Sequence, residues 1–373
     1  MAIVHFFVDN LNVGGLQRLC VDQSYSFAER GYTVQIHCLT PVPDKNFNSF
    51  INLEHTKIAK LDIVISSISS NHLYQLKNTV KILKSLKTDD LLISHSLRAT
   101  VVIWISRLIS RSKHSFITSI HQLPSLSATF QRNKRIHYAQ FSPVLSAYSH
   151  AVKLDWESRL SQSLYFKFFL RKKIDVLRNG IFLDRLPTSV EQEVYKHTSR
   201  LVYLGRNTGW KGITTLLDFA ELDSLRHFQI LFMLPEIDKV WEQELRDKFG
   251  SRIELVIGKT LSNYTPRDGD VHFYAAQYGP RAKFIESISL NCLEMAALGV
   301  PSLVTKGGVG TWPDLTETNV FIECDWSDID DTCQKILYAS ELKFTPATIQ
   351  RIRDLVDIQN NVSKIIRVLD VSS

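Results

Sequence analysis

The chain has 373 residues, 44% hydrophobic and 22% charged, which suits two globular domains and excludes a disordered, collagenous or low-complexity protein. No run of about 18 apolar residues occurs, so no membrane-spanning helix is expected, and five scattered cysteines without metal spacing point to reduced thiols in a cytoplasmic protein. The net charge of +6 hides a split: residues 1–185 carry 24 Lys and Arg against 12 Asp and Glu, whereas 186–373 are net −6, which predicts that one half meets an anionic surface.

Segment 1–8 is apolar but lacks a basic leader region and a cleavage site, so it reads as a buried first strand. Further strand-like runs lie at 33–39, 91–94, 116–120, 173–177, 200–204, 229–234, 253–256 and 302–305. Helical patterns fall between them, at 17–30, 74–86, 214–222 and 240–249. Such alternation predicts parallel sheets with helices on both faces. The pattern restarts near residue 200, after the polar stretch 187–199. The expected fold class is α/β: two doubly wound Rossmann-like domains, 1–186 and 187–348, facing each other across a cleft. An amphipathic last helix over 349–369 is expected to carry the tail, 349–373, back onto the N-terminal domain. Ligands of such folds bind beyond the carboxyl ends of the strands.

Two glutamates eight positions apart, Glu286 and Glu294, lie in FIESISLNCLEMAALGVPSLVT. Carboxylates accept hydrogen bonds from sugar and ribose hydroxyls, and the amides of a helix start hold phosphate. Spacing of this kind also occurs by chance. Asn12, Gly14, Gly15 and Arg18 follow the first strand and open a helix; the two glycines let backbone approach a ligand. They do not form the dinucleotide fingerprint G-x-G-x-x-G. Another strand ends at Gly205, with Arg206 at its carboxyl end and Lys211 opening the next helix. Two cations there can grip a pyrophosphate and stabilise a departing nucleoside diphosphate; the bland alternative is a surface arginine and a solvated lysine. His121 ends an apolar strand, as His95 does, and a lone histidine there is more often structural. No Asp-x-Asp metal motif stands at a suitable strand end.

In order and setting, these segments resemble retaining glycosyltransferases of the GT-B fold, family 4. Glu286 and Glu294 are similar to the E-x7-E motif, Gly14 to Arg18 to a G-G-x-x-R element, and Gly205 to Gly212 to a G-R-x(n)-K-G element. His121 resembles the family's strand-end histidine facing the transferred sugar. Asn179, Gly180 and Ile181 resemble N-G-I-D with Phe182 in place of the acid, and the segment from Lys306 to Gly310 resembles a glycine turn. The resemblance is strongest over 200–312. It implies transfer of a sugar from a nucleotide diphosphate sugar to a hydroxyl of a glycan or lipid-linked acceptor in cell-surface polysaccharide synthesis, with retention and without metal or other cofactor. The implied catalytic residues are Glu286, His121, Arg206 and Lys211. The implied donor-binding residues are Gly14, Gly15, Arg206, Lys211, Glu286, Ser289, Leu290 and Glu294.

The chain also departs from that pattern. Glu286 is followed by Ser287, Ile288, Ser289 and Leu290 where the family often has Gly-Phe-Gly-Leu, and the strand end over 232–235 lacks the usual glycines. Two rivals follow: a GT-B nucleotide-sugar epimerase, which would act on donor alone, and a non-catalytic relative or partner subunit, which would bind donor without turnover. Two basic segments bear on the positive half. RATVVIWISRLISRSKH, over 98–114, reads as a core helix with solvated ends, whereas YFKFFLRKK, over 165–173, fits an anionic membrane surface. Peripheral attachment to the cytoplasmic membrane face is therefore expected. Nucleic-acid binding is not, because no recognised module appears.

Overall fold

Every pairing between named strands is parallel, because each strand returns to the sheet through a crossover. The computed structural model describes residues 2–11, 15–40, 63–68, 71–120, 144–147, 153–154, 156–157, 174–187, 199–207, 211–259, 261–276, 289–306 and 312–370. The first sheet is built from β1 (Ile3–Val8), β2 (Thr33–Cys38), β3 (Val64–Ser67), β4 (Leu91–Ser94), β5 (Ile117–Ile120), β6 (Val144–Ala147) and β7 (Ile174–Val176). Its helices are α1 (Gly15–Glu29), α2 (His72–Ser85) and α3 (Leu97–Ser110). The second sheet contains β8 (Arg200–Leu204), β9 (Gln229–Leu234), β10 (Ile253–Ile257), β11 (Asp270–Tyr274), β12 (Ser302–Thr305) and β13 (Phe321–Cys324). With it go α4 (Ile213–Ala220), α5 (Lys239–Phe249), α6 (Leu290–Ala297), α7 (Pro313–Thr316), α8 (Ile329–Glu341) and α9 (Pro346–Val356), and α10 (Ile358–Asp370) ends the chain.

The strand orders are β3-β2-β1-β4-β5-β6-β7 and β10-β9-β8-β11-β12-β13. Both are doubly wound, and the order reverses between β1 and β4 in one sheet and between β8 and β11 in the other. Those are the switch points where such sheets open a ligand crevice. Burial on both faces explains the continuous apolar strands: β1 is buried from Val4 to Val8 and β9 from Ile230 to Leu234. All five cysteines are free and buried.

Four strands escaped the sequence reading: β3, β6, β11 and β13. In β11 the sequence DVHFY carries two polar residues, yet the whole strand is buried. Both polar side chains have a partner that offsets part of their desolvation. Asp270 receives two bonds of 2.7 Å from the Arg200 guanidinium and one of 2.5 Å from the Tyr264 hydroxyl. His272 Nδ1 lies 2.9 Å from Ser302 Oγ. The Arg200–Asp270 pair joins the first residues of β8 and β11, which pair directly, and so sets the register of the two strands whose far ends build the candidate site.

Contacts divide the chain into one unit of Met1–Gly180 with Ile358–Ser373 and another of Ile181–Asp357. The division falls at Gly180 and not at 186. The segment read as a single helix over 349–369 is two helices. Asp357 breaks it in extended conformation (φ −60°, ψ 128°), because it forms a parallel bridge with Ile181 while the Ile181 amide donates to the Val356 carbonyl at 2.8 Å. Beyond that bridge α10 packs on α1. Gln23 Nε2 donates to Asn361 Oδ1, and Asn361 Nδ2 donates to the Arg178 carbonyl, both at 2.7 Å.

Candidate active site

The site is built where β8 and β11 end. Gly205 leaves β8 at φ +147°, a conformation open to glycine and strained for other residues. A Cβ there would lie 3.4 Å from Asn291 Nδ2 and 3.9 Å from Lys211 Cδ, so the strand end, the start of α4 and the start of α6 meet at this residue. Gly212 has φ +79°, and its Cβ would come within 2.4 Å of the Ala275 carbonyl oxygen. The turn before α4 is thus pressed against the end of β11.

Between those glycines Lys211 is half-buried, with Nζ 5.5 Å from the centre of the Tyr274 ring, a cation–π contact. Arg206 is exposed. Its carbonyl accepts a 2.8 Å bond from the Tyr203 hydroxyl, which rises from the core to hold the loop. α6 starts beside them: Ser289 caps it, accepting from the Cys292 amide at 3.4 Å, and Asn291 Nδ2 donates to the Leu204 carbonyl at 2.7 Å. The helix start is thereby tied to the last residue of β8. Leu290 and Glu294 are buried on α6, Glu294 completely.

Beneath the site His272 is fully buried, and its Nε2 has no hydrogen-bond partner among the described residues. Burial, with a smaller contribution from nearby Lys211, holds this imidazole down to about 3, so it stays neutral at ordinary pH. Thr305 Oγ1 donates to the Ala276 carbonyl at 2.9 Å and accepts from Trp326 Nε1 at 3.0 Å, which fixes the end of β12 to the end of β11.

In the other unit, the switch point between β1 and β4 carries Asp9, Asn10, His95 and Ser96. Ser96 Oγ donates to Asp9 Oδ1 at 3.1 Å, and Gln17 Nε2 donates to Asn10 Oδ1 at 3.4 Å. His95 is buried and stacked on Phe6, 5.7 Å between ring centres. Gly15 opens α1, and a Cβ there would meet nothing within 4 Å, so packing does not demand glycine at that position. Arg18 approaches Asp22 on the same helix at 4.0 Å.

Of the residues expected from the sequence, Arg206, Lys211, Ser289, Leu290 and Glu294 fall on the elements that meet at Gly205. Gly14, His121 and Glu286, with segment 165–173, lie outside the described residues. The sequence reading missed Tyr203, Tyr274 and Asn291. Asn291 was discoverable, since it stands inside the Glu286–Glu294 spacing one turn before Glu294. Tyr274 was hidden with β11. Among the described residues no group of three or more His, Cys, Asp or Glu is placed to hold a metal ion.

No protein-family model matches the chain, and no curated protein matches it in sequence. Many solved structures are similar in fold, among them the following three. Anabaena Alr3699/HepE in complex with UDP-glucose has 14% identity and a TM-score of 0.66, with 100% of both chains covered. A glycosyltransferase from Rickettsia africae ESF-5 has 16% identity and a TM-score of 0.68, over 100% of this chain and 98% of that one. The lipopolysaccharide outer core galactosyltransferase WaaB, in its apo form, has 15% identity and a TM-score of 0.65, over 99% of each chain. Overlap along the full length places this chain in the same architecture: it has the two-domain α/β fold, GT-B, that these structures share.

Proposed function

We propose that the protein is a retaining glycosyltransferase that moves a sugar from a nucleoside diphosphate sugar to a hydroxyl of a glycan or lipid-linked saccharide, in cell-surface polysaccharide synthesis. A fold alone does not select a function. The observation that supports the reading is the convergence at Gly205 of Lys211, the strand end bearing Arg206 and the capped start of α6. A diphosphate at that point would be met by Arg206, Lys211 and the amides of Leu290 and Asn291, which a helix start cannot pair internally. Glu294 and Glu286 would accept bonds from ribose and sugar hydroxyls. Gly14, Gly15 and His121 would act from the N-terminal domain.

In the transfer, the bond between the anomeric carbon and the β-phosphate oxygen breaks, and its electron pair leaves with the phosphate. The acceptor oxygen bonds the anomeric carbon on the same face, and its proton passes to the departing phosphate oxygen. Negative charge grows on that oxygen, where Arg206 and Lys211 stabilise it. The two cations would do so without a divalent metal. A cytoplasmic location fits five free, buried thiols.

The test is calorimetric titration with UDP, GDP, ADP and CMP sugars in the presence of a chelator, UDP-glucose first because HepE has been crystallised with it. Saturable binding of one donor, weakened in Lys211→Ala, is expected. A folded protein that binds none of them overturns the reading. Conversion of donor without acceptor would identify an epimerase instead, and binding without transfer to any acceptor a non-catalytic partner subunit.

A further inference from the structure

The helix α2 is divided lengthwise. Gln75, Thr79 and Leu83 are buried, and Leu76, Ile82 and Leu86 pack on the core that α2 shares with α3. The opposite side carries Leu73, 76% exposed, and Lys77, Lys81 and Lys84, with Tyr74 beside them at 58% exposure. The spacing i, i+4, i+8, i+11 puts Leu73 and the three lysines in one stripe. Among the described residues none of these lysines has a carboxylate partner.

The helices α2 and α3 themselves carry a single sign of charge. Residues 71–88 and 97–116 contain eight Lys and Arg and no Asp or Glu. An ordinary solvated helix face mixes both signs. Here α3, packed beside α2, ends in exposed Leu108 and Ile109 followed by Arg111 and Lys113. Leu73 and Tyr74 stand at the first turn of α2, just past the carboxyl end of β3 and therefore at the edge of the sheet where ligands of this fold class bind. Cations alone would suit any polyanion. Cations in line with an exposed leucine and tyrosine suit a surface that is anionic outside and apolar just beneath.

We propose that this face of α2 docks the N-terminal unit on an anionic lipid bilayer, with Leu73 and Tyr74 entering the boundary between headgroups and acyl chains and Lys77, Lys81 and Lys84 lying over anionic headgroups. The docked helix would hold the carboxyl edge of the first sheet at the membrane, where a lipid-linked substrate emerges. The inference is independent of the transferase reading, since it is tested on vesicles without any sugar, and either can fail alone.

The experiment is co-sedimentation of the full chain with vesicles of phosphatidylcholine and with vesicles of phosphatidylcholine mixed with phosphatidylglycerol. Binding to the mixed vesicles only, falling as salt rises, is expected. Each basic residue at such a surface strengthens partitioning roughly fivefold, so Lys77→Glu with Lys81→Glu and Lys84→Glu should weaken it by on the order of 100-fold or more. Leu73→Ser with Tyr74→Ser should weaken the part that survives high salt. These residues are exposed, so the thermal midpoint should not move, and Arg226→Glu with Lys239→Glu in the other unit should leave vesicle binding unchanged. Wild-type protein that stays in the supernatant overturns the proposal, as does a triple lysine variant that binds like wild type. Binding of a duplex oligonucleotide that is lost in the triple variant, without any vesicle binding, would give the face to a nucleic acid.

Discussion

Gly212→Ala puts a methyl group where the turn before α4 meets β11. Two costs can be separated. The first is conformational: at φ +79° an L-residue costs about 1–2 kcal/mol. The second is steric: the new Cβ would stand 2.4 Å from the Ala275 carbonyl oxygen and 2.5 Å from the Ala275 Cβ, and backbone must move to relieve it. Overpacking of this kind costs about 1–3 kcal/mol more. Gly258→Ala supplies the control within the same unit. Its φ is +68°, but its nearest neighbour, the Pro235 carbonyl oxygen, is 3.8 Å away, so only the first cost applies. Urea unfolding followed by tryptophan fluorescence should therefore show Gly212→Ala losing about 2–5 kcal/mol and Gly258→Ala about 1–2. Calorimetry should show donor affinity falling in Gly212→Ala alone, because the displaced turn carries Lys211 away from Tyr274. Equal losses of stability in the two variants would refute the close approach of this turn to β11, and unchanged donor affinity in Gly212→Ala would refute its part in seating Lys211.

Arg206→Ala and Lys211→Ala should each lower kcat/KM by about 100-fold to 1,000-fold, as removal of a donor that meets transition-state charge does; near-normal turnover in both variants would remove the diphosphate assignment. Tyr203→Phe deletes the 2.8 Å bond to the Arg206 carbonyl, which should cost about 1 kcal/mol of stability and raise KM for the donor more than it lowers kcat. Steady-state kinetics at several donor concentrations would read that split, and a fall in kcat alone would contradict a positioning role. Stability should also fall with acid. Burial holds His5 down to about 4 and His37 and His272 down to about 3, from the usual 6.5. Because the folded values are lowered, the unfolded chain takes up protons first, so the stability present above pH 6.5 drains away as pH falls toward the folded values. Each histidine should remove about 2 kcal/mol between pH 6.5 and 5. Urea midpoints measured at those two pH values check this, and a flat profile would refute it.

Much of the architecture was legible because it rests on local pattern. Apolar runs of strand length alternating with amphipathic helices leave few arrangements besides parallel sheets covered on both faces, and all nine strands expected end within one residue of where they are found. The glycines and cations at 205–212 were legible for a related reason: a turn that must bring backbone close to a ligand or a neighbouring strand draws on glycine, and no other residue substitutes freely. Pattern failed where a buried strand carries polar groups. β11 reads as too polar to be a core strand until Arg200 and Ser302, distant in the chain, and the nearer Tyr264 are seen bonding Asp270 and His272.

What the sequence determines by itself is therefore the class of fold, most of its strands and the chemical types gathered at strand ends, since these follow from periodicity and from the conformational limits of single residues. Tertiary structure decides the rest. It breaks the last helical run at Asp357 and sends α10 to α1, because backbone pairing with Ile181 outweighs local helical preference. It brings Lys211, Tyr203, Tyr274 and Asn291 to the ends of β8 and β11, residues up to 88 positions apart in the chain whose proximity arises from strand order alone. It also separates the buried side of α2 from the exposed stripe of Leu73, Lys77, Lys81 and Lys84, because which face a helix turns to the core is settled by the elements packed beneath it.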